Sequence, residues 1–240
     1  MSIVQGGQAF YGQNIGVLLL DAQYPRLPGD VGNALTYPVP VQFDVVEGLT
    51  ADRLIHHFDP SIGDLVQASI SRLSQRGARA VVGGCGFFAA VHEQIRDRSP
   101  IPFLSSSLLQ VPWLLGLYGS PIGVLTIDAD ALDDTYLSGC GWSRHDTHVV
   151  VQGIDPNSVF AAVYFENRRE FDPAVMETNV VDAARVLRDR APNIRALVLE
   201  CTNMAPFAYA IQAKWPVPIY DIQGLAQWVA LAVNRYPYRD

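Results

Sequence analysis

Apolar residues fall into short blocks of four to six, separated by longer amphipathic stretches. The blocks lie at 15–20, 41–46, 80–84, 101–104, 122–127, 148–152, 196–200 and 217–220, and they are rich in Val, Ile and Leu. They are apolar on both faces rather than alternating. That pattern marks strands buried on both sides, as in a parallel sheet covered by helices. Two of the intervening stretches carry clear helix starts. Asp59-Pro60 opens one that ends at Gly77, and Asp172-Pro173 opens one that runs to about Arg190. In each, the carboxylate serves the free N–H groups of the first turn, and proline takes a position where it costs no helix bond. Alternating strand and helix predicts an α/β fold with a mostly parallel sheet.

The pattern then repeats. Ile15-Gly16-Val17-Leu18-Leu19-Leu20-Asp21 matches Ile122-Gly123-Val124-Leu125-Thr126-Ile127-Asp128, and Val45-Val46-Glu47-Gly48-Leu49 matches Val150-Val151-Gln152-Gly153-Ile154. Arg79-Ala80-Val81-Val82-Gly83-Gly84-Cys85 matches Arg195-Ala196-Leu197-Val198-Leu199-Glu200-Cys201, and Ile101-Pro102-Phe103 matches Val217-Pro218-Ile219. Cys85 precedes Pro102 by the same 17 residues that separate Cys201 from Pro218. Generic buried strands account for most of these matches. They do not account for a cysteine at the same place twice in a chain that has 3. The repeat predicts two related α/β lobes of four strands each, joined near 113–121.

Composition narrows the function. The chain has 240 residues, 24 acidic and 17 basic, with a net charge of −7. Charged residues make up 17 % and hydrophobic ones 49 %, against a usual charged share of about 25 %. Such a chain buries a sizeable core and is not disordered. An acidic balance without a Lys/Arg cluster excludes a nucleic-acid reader. Three cysteines with no C-x-x-C pair make no disulfide framework, so a reduced, cytoplasmic compartment is expected. Residues 1–14 lack the basic start and apolar core of a signal peptide. Residues 99–127 carry no charge, but Pro100, Pro102, Pro112 and Pro121 break that stretch, so no membrane partner is expected.

Two of the cysteines carry the candidate chemistry. Cys85 and Cys201 each follow a buried strand, the edge of a sheet where α/β sites gather. A helix is expected after each, over 87–98 in one half and with Asn203 as N-cap and Pro206 in the first turn in the other. Free N–H groups at a helix start favour the thiolate, the reactive form. A single free cysteine is more often buried and inert; a matched pair favours function. Two thiols facing each other across a cleft suit racemisation, which takes a proton from one face of a carbon and returns one to the other. Cys140, between Gly139 and Gly141, has no counterpart and reads as structural.

Strand–Cys–helix in each half, with Leu-Val-Leu-Glu-Cys-Thr-Asn at 197–203, resembles the Asp/Glu racemase superfamily, including glutamate, aspartate and hydantoin racemases, maleate isomerases and arylmalonate decarboxylases. The resemblance implies two pseudo-symmetric lobes, each a mostly parallel four-stranded sheet flanked by helices, with the active site in the cleft between them. It implies lobes made of residues 1–115 plus about 206–240 and of about 116–205. It implies chemistry without a cofactor or metal, a small carboxylate as substrate, and a homodimer. Cys85 and Cys201 match the catalytic pair, and Thr202 matches a residue that contacts the substrate carboxylate. The flanks depart from glutamate racemases: Gly86 and Phe87 stand where Asn-Thr is usual, Glu200 where Gly is usual, and Asn203 where His or Glu is common. Asp21 falls two residues later than the usual Asp of the first strand. The resemblance therefore implies an amino acid or related carboxylate without naming glutamate.

Other polar groups have two readings each. Arg26 reads as a carboxylate clamp or as a solvated loop residue. Asn33 reads as a substrate contact or as a turn residue. Ser105, Ser106 and Ser107 donate to a ligand or cap the next helix. Glu200, alternating away from Cys201, is expected on the opposite side of the strand. The His145-Asp146-Thr147-His148 run reads as a surface turn. The leading expectation is a cofactor-independent racemase or epimerase. The alternatives are a cis–trans isomerase or decarboxylase of a dicarboxylate on the same fold, and a two-lobed binding protein.

Overall fold

The computed structural model describes residue 3 and residues 6–119, 121–146 and 148–235. Thr147 and the last five residues of the C-terminal stretch lie outside the described residues. The strands are β1 (Ile15–Leu20), β2 (Val41–Val46), β3 (Ala80–Gly83), β4 (Phe103–Leu104), β5 (Ile122–Thr126), β6 (Val149–Gly153), β7 (Ala196–Leu199) and β8 (Ile219–Tyr220). They form two four-stranded sheets, ordered β2-β1-β3-β4 and β6-β5-β7-β8, and every pairing is parallel. The fold is thus two α/β lobes with the same strand order, the architecture expected from the repeat.

The helices are α1 (Ala51–Ile55), α2 (Ser61–Gln75), α3 (His92–Arg96), α4 (Val111–Tyr118), α5 (Asp134–Leu137), α6 (Val159–Phe165), α7 (Pro173–Arg190), α8 (Ala208–Lys214) and α9 (Ile222–Val233). The start signals work as expected, with small shifts. The Asp172 side chain accepts from the Ala174 N–H at the head of α7. Asp59 accepts from the Ser61 N–H at 2.9 Å, and Pro60 becomes the cap residue of α2. Equivalent close approaches lock helix to sheet in each lobe. A β-carbon on Gly16 would meet Leu73 of α2 at 2.9 Å, and one on Gly123 would meet Leu187 of α7 at 2.9 Å. Glycine at these two strand positions lets the long helix sit close to the central strand.

The last strand of each sheet is shorter than expected. Pro102 and Pro218 have no N–H for the ladder, and each serves only as an acceptor, from Val81 and Leu197, both at 2.9 Å. Proline in a strand belongs at an edge, and β4 and β8 are the edges.

The lobes exchange one helix each. After β4, α4 crosses to contact β5 and β7 of the second sheet, and after β8, α9 returns to β3 of the first. On that first sheet, Ile222, Ala226, Val229 and Ala230 of α9 cover Ile15, Val17, Ala80, Val82 and Leu104. The expected crossover at about residue 206 is therefore corrected: α8 packs on α7 and β8 belongs to the second sheet, so the return starts after Tyr220. Among the described residues, no helix is long and apolar enough to cross a membrane.

Candidate active site

Each cysteine stands where a strand hands over to a tight turn. The residue after β3, Gly84, donates its N–H to Leu18 O at 2.7 Å, and the residue after β7, Glu200, donates to Leu125 O at 2.8 Å. Leu18 and Leu125 are equivalent in the repeat. The next residues, Cys85 and Cys201, are extended and cap 3-10 turns over Gly86–Val91 and Thr202–Phe207. The continuous helix expected over 87–98 is thus a 3-10 turn followed by α3. Asn203 is not the N-cap: it lies inside the turn, with Pro206 also inside it. The tighter turn keeps two N–H groups aimed at sulfur, from Phe87 to Cys85 and from Asn203 to Cys201.

The flanks of the two cysteines interlock in opposite directions. Thr202 Oγ1 donates to Gly84 O at 2.9 Å, joining the residue after one cysteine to the residue before the other. On the other side, Glu200 Oε1 lies against Gly86 so closely that a β-carbon there would have no room. Gly84–Cys85–Gly86 and Glu200–Cys201–Thr202 therefore run antiparallel across the lobe boundary, with the two cysteines at the centre. Both line one cavity, with Tyr24, Phe87, Tyr164 and Glu200 among its walls. The cavity is narrow: about 20 Å³ is open to the centres of water molecules, little more than one water's room.

Burial decides the electrostatics. It pushes the Cys85 thiol up to about 12, with the Glu200 carboxyl adding to the shift, while the Phe87 N–H and Arg26 pull the other way. Burial also pushes Cys201 well above its ordinary value; Glu200, Cys85 and Asp30 add to the shift, and the Asn203 N–H opposes it. The thiolate expected from the turn N–H groups is thus corrected: their help is real but smaller than the desolvation cost. The pair is also unequal. Cys85 is partly exposed and feels the positive charge of Arg26; Cys201 is buried and feels Asp30. Glu200 is fully buried, and desolvation raises its carboxyl to about 8, against the opposing hydrogen bond from Thr126.

The remaining expected contacts divide. Thr202, Asn203 and Phe87 line the cavity with the cysteines, and Gly86 adjoins it. Asp21 does not line it; its carboxylate accepts the Gly48 N–H at 2.9 Å and fixes the turn after β2. Asn33 is a turn residue: it caps Ala34–Thr36 and donates to Arg26 O at 2.8 Å. Arg26 is no free clamp, because Nη1 pairs with Asp30 Oδ1 at 2.9 Å and the guanidinium sits 4.5 Å over the Tyr24 ring. Asp30 Oδ2 also accepts from Asn203 at 2.7 Å, so this loop braces the second cysteine turn from behind. Ser106 caps the turn after β4, Ser105 bonds His92 at 2.9 Å, and Ser107 donates to Leu199 O at 2.7 Å across the lobes.

Sequence reading misses Tyr24, Tyr164 and Glu200. Tyr164 comes from α6 with the spacing of a core residue. Glu200 is misplaced because strand alternation is extended one residue too far: β7 ends at Leu199, and beyond it the side chain turns into the cavity.

The chain matches the Asp/Glu/Hydantoin racemase family over residues 50–230. It is 28 % identical over 215 residues to a dimethylsulfoniopropionate lyase of Durusdinium sp. clade D, covering 87 % of this chain and 71 % of that protein. It is 28 % identical over 218 residues to dimethylsulfoniopropionate lyase 3 of Emiliania huxleyi (strain CCMP1516), covering 87 % of this chain and 56 % of that longer protein. The structure of unliganded arylmalonate decarboxylase superposes with a TM-score of 0.57 at 17 % identity, covering 92 % of each chain. With the match extending over most of its length, and with two like-ordered parallel sheets meeting at a cysteine from each, the chain belongs to the Asp/Glu/Hydantoin racemase family.

Proposed function

We propose that this protein catalyses cofactor-independent removal of a proton next to a carboxylate, with Cys85 as the base and Cys201 as the protonated thiol opposite. The observation that carries the reading is the antiparallel interlock of the two cysteine flanks around one buried cavity. The roles derive from the inequality of the pair. Arg26 and the Phe87 N–H favour a thiolate on Cys85, whereas Asp30 and deep burial keep Cys201 protonated. A raised thiol is a weaker acid and hence a stronger base once ionised, as carbon deprotonation requires.

The fate of the carbanion depends on the substrate. A substrate with a leaving group on the next carbon eliminates. For dimethylsulfoniopropionate, the thiolate takes the proton next to the carboxylate, the carbon–sulfur electron pair leaves with sulfur as dimethyl sulfide, and a double bond forms to give acrylate. The proton on Cys85 then returns to solvent. The lyase relatives support this course, as do the aromatic walls from Tyr24, Phe87 and Tyr164, which suit a compact cation. A substrate without a leaving group instead takes a proton back from Cys201 on the other face and racemises. The pseudo-symmetric placement of the thiols supports that second reading.

The test is a substrate panel in heavy water read by NMR: dimethylsulfoniopropionate, amino acids, hydantoins and arylmalonates. Acrylate formation from the first is expected. Deuterium at the α-carbon of an amino acid, with no acrylate, favours the racemase. No exchange, elimination or decarboxylation across the panel overturns the proton-transfer reading.

A further inference from the structure

Glu200 is a fully buried carboxyl among groups of its own sign, and neither cysteine role uses it. One oxygen is satisfied: Oε2 accepts from Thr126 Oγ1 at 2.7 Å. The other, Oε1, is buried without a hydrogen-bond partner. Leaving a buried polar atom unpaired is costly, so native proteins rarely keep one without use. Here the residue lines the cavity, and Oε1 lies against Gly86, beside Cys85. Only glycine leaves that space open at position 86. The unpartnered oxygen is therefore packed against Gly86, between the two turns that carry the thiols, in a residue that lines the cleft.

We propose that Glu200 is held as a neutral carboxylic acid whose free oxygen meets the substrate carboxylate and donates a hydrogen bond to the negative charge that grows there as the α-proton leaves. Removal of that proton turns a carboxylate into an enediolate with a second negative charge. A donor placed beside it in a water-poor site stabilises the transition state more than the ground state. The cleft walls offer no lysine, and the nearby Arg26 is committed to Asp30. A carboxylic acid that stays protonated at neutral pH adds a donor between the two thiol turns, beside those of Tyr24 and Tyr164 in the same walls. Its surroundings keep it so. Thr126 of β5 and Asp128 just beyond that strand face it, and Cys85, Cys201, Cys140 and Tyr136 feel its charge. Thr126 favours ionisation, but burial outweighs it, and Asp128 adds to the effect of burial. The reason for neutrality is also the reason for a cysteine base: a cavity this narrow and buried holds one negative side chain with difficulty and two with more.

The proposal rests on the proton-transfer reading, and the experiment separates the two. In the full chain labelled at the glutamate carboxyl carbon, the Glu200 signal is assigned by its loss in Glu200→Gln. The expected signal is that of a neutral acid at pH 7, ionising near pH 8; a signal ionised below pH 6 overturns the proposal. Propionate serves as an unreactive carboxylate probe in calorimetric titration. Glu200→Ala is expected to weaken its binding by about 10- to 100-fold, the worth of one hydrogen bond to a charged group, and Glu200→Gln, which keeps a donor, by much less. Equal binding by wild type and Glu200→Ala, or no binding by wild type, overturns it. If Glu200→Ala does not fold, a Glu200→Gln variant that binds no propionate does the same. In turnover, wild-type kcat should fall on the alkaline side as Glu200 ionises, and Glu200→Gln should lack that limb; an unchanged limb contradicts the proposal. A neutral Glu200 that binds propionate in a protein with no turnover removes the reaction alone. Turnover that needs Cys85 while Glu200 is ionised removes this proposal alone.

Discussion

At the scale of single residues, the site is governed by the packing of Glu200 against Gly86. A side chain at position 86 and the Glu200 carboxyl claim the same space. Gly86→Ala should therefore destabilise the protein by about 1–3 kcal/mol through overpacking. Adding Glu200→Ala should return part of that loss, because the two residues are in contact and their effects do not add. Denaturant unfolding of both single variants and the double variant measures the coupling. The Glu200 carboxyl also ties stability to pH. Its folded value, about 8, lies above its ordinary 4.5, chiefly through burial. Its contribution is fully present below about pH 4.5 and is lost as pH rises through 8, since the folded state alone holds the proton in that window. Glu200→Gln has no such proton to lose. The melting temperature of wild type relative to Glu200→Gln should thus fall steadily between pH 5 and pH 9; a constant difference would show an ordinary, ionised carboxylate.

At the scale of elements, the fold reads from the sequence where one segment carries its own signal, and fails where a partner from elsewhere decides. The strand blocks and the Asp-Pro starts are local, so they survive with shifts of a residue or two. Cys85 and Cys201 stand out because each ends a strand at the same step of a repeat. Arg26 does not reveal that Asp30 occupies it, nor Tyr164 that its ring closes a cavity as well as packing in the core. Both facts belong to contacts between distant elements. The helix exchange is of this kind too. Ile222 of α9 is fully buried on the first sheet, and Ile222→Ala should cost about 2–5 kcal/mol, as core cavities usually do. A cost below about 1 kcal/mol would mean that α9 does not hold that face shut. Polar bridges between lobes count for less. His56, at the end of α1, meets Asp52 at 3.0 Å and Asp128 at 3.1 Å. Partial burial lowers its ring value, but the two carboxylates more than offset that, and the net direction is up. The bridge is fully charged below the ordinary histidine value and fades as pH rises through the raised one. His56→Ala should cost no more than about 1 kcal/mol at pH 6, and less at pH 8.5, since an exposed pair is screened by solvent.

At the scale of the whole molecule, duplication explains how a chain with so few charges gathers its candidate site at one seam. Two like lobes, each giving a helix to the other, meet along a seam whose polar groups are nearly all bonded to one another: Thr202 to Gly84, Ser107 to Leu199, Asn203 to Asp30. The seam leaves one carboxyl oxygen of Glu200 unpartnered and the Cys201 thiol only a long bond to Asn203 Oδ1 at 3.7 Å, and both residues line one narrow cavity with Cys85. Burial along the seam raises the proton affinity of both thiols and of Glu200, and in the proposed reaction that is what makes Cys85 a base strong enough to act on carbon. The most direct measurement of this claim is the rate of acrylate release from dimethylsulfoniopropionate by wild type, Cys85→Ser and Cys201→Ser under the same conditions. Cys85→Ser is predicted to lose at least about 100-fold, the usual worth of a positioned acid–base group, while Cys201→Ser keeps the larger part of the elimination rate. Turnover by Cys85→Ser within a few-fold of wild type would contradict a Cys85 base.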